Sequence, residues 1–272
     1  MKTENLTLTN FNGRQFKVHT YFLADNPKLV EKVKPLIIVI PGGSFDHLSL
    51  REGEPVALAY ASHGYNSVVM EYNLVQDPGK IYPDAGLDVL TTVKYFRDHA
   101  AEYQIDPHKI ITIGFSAGGH VASSANYMAN SEKYQSQFNY EAKNVRPDRT
   151  ILGYPLINIE HIGFPIPDGE EKDMPDDPKL QDSALGVTRE TPATFIFQAW
   201  DDPVVLISNS IEYLKTLHDN GVRCEVHLFT RGGHGFSLAR PEVVEEGNAW
   251  QNNPHATHWF NLSLEWLQQE LA

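Results

Sequence analysis

Leu6 and Leu8, then Phe16, Val18 and Thr20, alternate with polar neighbours on either side of Asn12-Gly13. Period-two alternation around a dipeptide that favours positive φ predicts an antiparallel β-hairpin at the start of the chain. A different pattern follows. Leu36-Ile37-Ile38-Val39-Ile40 is apolar at every position and stops at Pro41-Gly42-Gly43, as expected for a strand covered on both faces. Runs of the same kind recur at 67–70, 110–113 and 193–199, and Cys224 to Phe229 has strand-like composition. Helix-like segments at 84–104 and 208–220 lie before or between them. In the first, Leu87, Leu90, Val93, Tyr95 and Phe96 fall near a 3.6-residue period. His258 to Leu271 reads as an amphipathic closing helix. The alternation predicts an α/β chain with a mostly parallel central sheet flanked by helices, preceded by the antiparallel hairpin. Residues 157–190 interrupt the pattern with several prolines and the acidic run Asp168 to Asp173, and are expected to form a small lid-like surface insertion. No repeat or low-complexity tract divides the rest, so residues 1–272 are expected to form a single domain.

Composition narrows the function more than the fold. A net charge of -13 argues against a nucleic-acid partner, because such proteins need lysine and arginine surfaces to displace counterions from phosphates. The chain starts without a basic-then-apolar leader and has no apolar run of membrane length, so the expectation is a cytoplasmic protein with no membrane partner. The single cysteine, Cys224, cannot form an internal disulfide and reads as a small core residue. Oligomeric state is left open, and association into a homo-oligomer is compatible with the sequence.

The segment that carries chemistry is Gly114-Phe115-Ser116-Ala117-Gly118-Gly119-His120, placed after the apolar run 110–113 and before a helix-compatible stretch. A strand that turns abruptly into a helix leaves little room for Cβ atoms, hence the glycines, and pushes the intervening serine into the cleft. The helix that follows directs free N–H groups at the same point, making the Ala117 N–H a candidate donor to an oxyanion. A serine hydroxyl needs an imidazole to take its proton and a carboxylate to orient that imidazole. Asp201-Asp202-Pro203 follows the run 193–199, and Gly233-His234-Gly235-Phe236 follows the run 224–229, so both loops should open on the carboxyl edge of the sheet, where such sheets place their sites. There are 12 histidines, and His234 is distinguished by its glycine-flanked position after a strand. Gly43 and Ser44, after the first buried strand, are candidate donors of the other oxyanion N–H groups. His255 and His258 form one His-x-x-His pair without a third ligand signature, so no metal is expected. The spacing of Gly114 to Gly119 does not match a dinucleotide fingerprint.

Pro41-Gly42-Gly43, Glu71-Tyr72-Asn73-Leu74, Asp106-Pro107, the serine elbow, Asp202-Pro203 and Gly233-His234-Gly235-Phe236 together resemble the esterase/lipase branch of the α/β-hydrolase superfamily. The resemblance runs over nearly the whole chain and is closest to small bacterial carboxylesterases and acetyl-xylan-esterase-like enzymes. It implies the α/β-hydrolase fold, with Ser116 as nucleophile, His234 as base and Asp202 rather than Asp201 as the acid, since the family's acid stands before a proline or small residue and three positions before a valine. Where relatives read His-Gly-Gly-Gly, this chain has Pro41-Gly42-Gly43-Ser44, which removes an imidazole and adds a side chain beside the oxyanion donors.

The implied reaction is hydrolysis of small-molecule esters with short acyl groups, acetyl first, through an acyl-enzyme and without a cofactor. Phe45, Leu48 and Phe236 are expected to line the substrate pocket. Two other readings stand beside it: an amidase or peptidase of small substrates using the same triad, and a non-catalytic binding protein on the same scaffold.

Overall fold

The computed structural model describes residues 1–24, 28, 30, 32–164 and 175–272. The chain opens with the hairpin β1 (Asn5–Thr9) and β2 (Gln15–Tyr21), paired antiparallel with Leu8 opposite Phe16 and Leu6 opposite Val18. Gly13 takes φ 84° in the turn, which the Asn12-Gly13 pair allows at little steric cost. Strands β3 (Lys34–Ile40) and β4 (Asn66–Glu71) follow, joined by helix α1 (Glu54–Ala61). The long helical stretch resolves into α2 (Asp84–Asp98) and the single turn α3 (Ala100–Tyr103), divided at His99. Then come β5 (Ile105–Phe115), α4 (Ala117–Asn130), α5 (Glu132–Phe138), α6 (Ala142–Val145), β6 (Arg149–Gly153) and α7 (Pro178–Gln181). The chain ends with β7 (Ala193–Ala199), α8 (Ser208–Asp219), β8 (Cys224–Phe229) and α9 (His258–Glu270).

Among the described residues, the strands form one eight-stranded sheet in the order β1-β2-β4-β3-β5-β6-β7-β8. Strand β2 pairs antiparallel with β4, and every neighbouring pair from β4 to β8 is parallel. All five residues from Leu36 to Ile40 are buried, and their alternation divides them between two cores. Leu36, Ile38 and Ile40 pack in a layer with Leu90, Val93 and Phe96 of α2, Val121 and Ala125 of α4, and Tyr213 and Leu217 of α8. Ile37 and Val39 pack in the opposite layer with Val56 and Tyr60 of α1 and with Trp259, Phe260 and Leu267 of α9. Burial on both faces explains why these strands are apolar throughout, whereas the hairpin, solvated on one face, alternates.

Part of the expected insertion, 165–174, including the acidic run 168–173, lies outside the described residues. Its two flanks bridge to each other at Asn158 and Asp182, and Ile162 bridges to Val205 in the body. Among the described residues, no helix is long and apolar enough to cross a membrane.

Candidate active site

Ser116 sits between β5 and α4 with φ 50° and ψ -120°, a conformation costly for a residue with a Cβ. Close packing of main chains holds it there. A Cβ on Gly118 would fall 2.1 Å from the carbonyl oxygen of Ile40, so α4 can start this near β3 only with glycine at that position. Ser116 N–H donates to the Gly153 carbonyl at 3.0 Å, and the Ser116 carbonyl accepts from Gly119, His120 and Leu156. The peptide around the serine is thus fixed on both sides while its hydroxyl is left to the cleft.

The hydroxyl meets the imidazole of His234, with Ser116 Oγ 2.8 Å from His234 Nε2. His234 Nδ1 lies 2.8 Å from Asp202 Oδ2. The side chain of Asp202 has no exposed surface, and that of His234 is 16% exposed. Asp202 is held by two further contacts at its other oxygen: Oδ1 accepts the N–H groups of Val204 at 2.9 Å and Val205 at 3.0 Å. Gln198 Nε2 donates to Asp202 Oδ2 at 3.3 Å and to the Val205 carbonyl at 2.7 Å, and the Ser210 hydroxyl donates to Gln198 Oε1 at 2.6 Å. With its lone pairs facing donors, the buried carboxylate is suited to fix the imidazole tautomer that leaves Nε2 free to accept a proton. Asp201 does something else. Its Oδ1 accepts the N–H groups of Gly232 at 2.9 Å and Gly233 at 3.0 Å, shaping the loop that carries His234.

Gly43, Ser44 and Phe45 follow β3 with φ of 129°, 54° and 65°. Among the described residues, the N–H groups of Gly43, Ser44 and Ala117 have no hydrogen-bond acceptor, whereas that of Gly42 is taken by Glu52 Oε2 at 2.9 Å. Phe45 and Leu48 are half-buried. Phe45 also packs against a satellite cluster of Leu156, Ile159 and Val205. Phe236 differs from the expectation. It is 0% exposed and packs between Tyr154 and Phe197 in the core beneath the His234 loop, with ring centroids 4.9 and 5.9 Å away. Gly235, at φ 74°, turns the chain between His234 and Phe236, so the histidine faces the serine and the phenylalanine the core.

Residue types alone did not single out several groups that shape the site. Gln198 and Ser210 brace Asp202, and Tyr154 packs edge-on against His234 with centroids 5.2 Å apart. The Tyr154 hydroxyl donates to Glu52 Oε1 at 2.6 Å and accepts the Ser237 N–H at 3.0 Å. Burial, with the nearby Glu52 carboxylate adding to it, pushes the Tyr154 hydroxyl well above its ordinary pKa, so it stays protonated and can donate. The one available signal was position: Tyr154 directly follows β6, on the carboxyl edge of the sheet.

A mostly parallel sheet with an antiparallel first hairpin, helices on both faces and a serine elbow after a central strand defines the α/β-hydrolase fold. Within that fold, residues 25–164, just over half of the chain, match BD-FAE, and the chain belongs to this esterase family. A carboxylesterase from Lactobacillus plantarum shares 30% identity and superposes with a TM-score of 0.92 over 99% of this chain and 98% of its own. Two curated relatives are 30% identical: an acetylxylan esterase from Xylanibacter ruminicola, matched over 80% of this chain and 43% of its own length, and endo-1,4-beta-xylanase B from Butyrivibrio fibrisolvens, matched over 76% and 33%. The chain thus spans between a third and a half of the length of these two relatives.

Proposed function

We propose that this protein hydrolyses carboxylic esters of short acyl groups, acetyl first among them, through an acyl-enzyme on Ser116. The observation that carries the reading is the unbroken line from Ser116 Oγ through His234 to Asp202, two contacts of 2.8 Å each, with the serine held in a strained elbow. Ser116 Oγ bonds to the ester carbonyl carbon as His234 Nε2 takes the hydroxyl proton, and the carbonyl electron pair becomes an oxyanion. That oxyanion faces the free N–H groups of Ala117 and of Gly43 or Ser44, which are fixed before the reaction begins. The tetrahedral species collapses, the alkoxide leaves with the proton from His234, and water repeats the sequence on the acyl-enzyme to free the acid and restore Ser116. Asp202, in contact with His234 Nδ1, orients the ring and stabilises the imidazolium.

An apolar wall supports a short acyl group. Phe45 stands beside the oxyanion loop, Leu156 is tied to the Ser116 carbonyl through its own N–H, and Ile159 and Val205 complete the same apolar cluster. The likeness to an acetylxylan esterase points the same way. The test is a series of p-nitrophenyl esters of rising acyl length with the wild-type protein and Ser116→Ala. Turnover that peaks at acetate or propionate and disappears in the variant is expected. Turnover that survives Ser116→Ala would refute the mechanism.

A further inference from the structure

Glu52 is a buried carboxylate that the hydrolytic steps above do not use. It closes the short 3-10 turn Leu50–Glu52 and is 3% exposed, and no cationic side chain pairs with it among the described residues. A carboxylate in such a place needs hydrogen bonds to offset lost hydration. Its two oxygens divide the work: Oε2 accepts the Gly42 N–H at 2.9 Å and Oε1 accepts the Tyr154 hydroxyl at 2.6 Å. The Tyr154 oxygen accepts the Ser237 N–H at 3.0 Å, and the Tyr154 ring lies against His234. Two side chains in series, Glu52 and Tyr154, therefore tie the loop after β3, from which the Gly43 and Ser44 N–H groups project, to the loop after β8, which carries His234. There is no slack in this joint. A Cβ on Gly42 would fall 2.8 Å from Glu52 Oε2 and 2.9 Å from Ser116 Cβ, so the loop backbone, the carboxylate and the nucleophile lie directly against one another.

We propose that Glu52 is a positioning residue for the ester hydrolysis assigned above, holding the oxyanion donors and the His234 loop in fixed register with Ser116. The inference rests on that reading of Ser116. Loss of the Glu52 contacts removes no donor and no base, but it lets the Gly42 peptide, and the two N–H groups after it, drift from where the oxyanion forms. Because those donors act on charge that exists only in the transition state, the loss should fall on kcat rather than on KM.

Glu52→Gln tests this with little change of shape, since it replaces one of the two oxygens that separately accept from Gly42 and Tyr154 with an NH2 donor. Rates on p-nitrophenyl acetate are normalised to the titrated serine. They are compared with inhibition by a trifluoromethyl ketone and by the methyl ketone of the same chain. The fluorinated ketone adds Ser116 Oγ to its carbonyl carbon, the serine proton passes to His234, and the carbonyl becomes an oxyanion with nothing leaving, so it reports the donors directly. We expect kcat to fall about ten- to a hundredfold and the trifluoromethyl ketone to weaken by the same factor. KM and the methyl ketone should change less than about threefold. Tyr154→Phe, which keeps the ring and deletes only the hydroxyl, should move the same two readouts in the same sense by a smaller factor. Unaltered kcat per titrated site in both variants, or equal weakening of both ketones together with KM, would overturn the proposal. Hydrolysis retained by Ser116→Ala sinks the reading of Ser116 itself, whereas an inactive Ser116→Ala beside an unaffected Glu52→Gln sinks only the role of Glu52.

Discussion

Asp202 and Asp201 are adjacent in the chain but face different partners: Asp202 Oδ2 lies 2.8 Å from His234 Nδ1, while Asp201 Oδ1 accepts the main-chain N–H groups of Gly232 and Gly233. Substituting each should therefore have unlike effects. Asp202→Asn can offer Nδ1 a donor instead of an acceptor and favours the wrong tautomer, so kcat/KM should fall about a thousandfold or more. Asp201→Asn keeps one oxygen for the two N–H groups and should cost about tenfold or less, through the loop. Steady-state rates on p-nitrophenyl acetate at one pH separate the two, and a larger loss in Asp201→Asn would contradict the assignment.

Phe45 sets the second prediction. Its ring packs edge-on against His120 and Tyr82, with centroids 5.8 and 6.3 Å away, and it also borders the Leu156 cluster. Phe45→Ala should leave space beside Leu156, Ile159 and Val205 that a longer acyl chain can fill. The ratio of kcat/KM for the hexanoate to that for the acetate should rise about tenfold, the worth of one or two buried methylenes. An unchanged ratio would place the acyl group elsewhere.

The third concerns folding alone. Gly118→Ala would put a methyl group 2.1 Å from the Ile40 carbonyl, and main chain on both sides leaves nothing flexible to give way. Overpacking of this kind costs about 1–3 kcal/mol or more. Thermal melting of purified protein should show a drop of several degrees or more, and a wild-type midpoint would mean that α4 can move away from β3.

A fourth lies away from the site, at the foot of α2. Asp88 accepts from Asn10 Nδ2, from Asn73 Nδ2 and from the Asn73 main-chain N–H, while Asp84 beside it pairs with Arg14. Burial, with the charge of Asp84 adding to it, pushes the Asp88 carboxyl up to about 7 despite those hydrogen bonds. Between pH 4 and 7 the unfolded chain then releases this proton while the folded chain keeps it, so the group lowers folding stability as pH rises through that window. Urea unfolding of wild type and Asp88→Asn isolates the effect, because other titrations cancel in the difference. Wild type should lose ground to the variant from pH 4 to pH 7, and a difference independent of pH would show that Asp88 titrates normally.

What the sequence made legible follows from how local each signal is. The hairpin, the doubly buried strands and the serine elbow are written in neighbouring residues, and the order of serine, aspartate and histidine follows once the strands are placed. Glu52 is different. It meets Tyr154 across 102 positions, and nothing near Leu50-Arg51-Glu52 marks the carboxylate as buried. Gln198 and Ser210 sit in a strand and a helix whose patterns are those of ordinary core elements. Phe236 departs from the expectation for the opposite reason: it stands two residues from His234, but the turn at Gly235 sends the two side chains apart, and side-chain direction across such a turn is not encoded in spacing. The break at His99 between α2 and α3 falls inside a run whose apolar period continues without interruption.

The most direct test of the central claim is the site of covalent labelling. A p-nitrophenyl phosphonate of short chain length is incubated with the protein, and the modified residue is located by peptide mass spectrometry. One phosphonyl group per chain, on Ser116, with labelling slowed about a thousandfold or more in His234→Ala, is the result the account predicts. A label on any other residue, or labelling of Ser116 at the same rate without the imidazole, would contradict it.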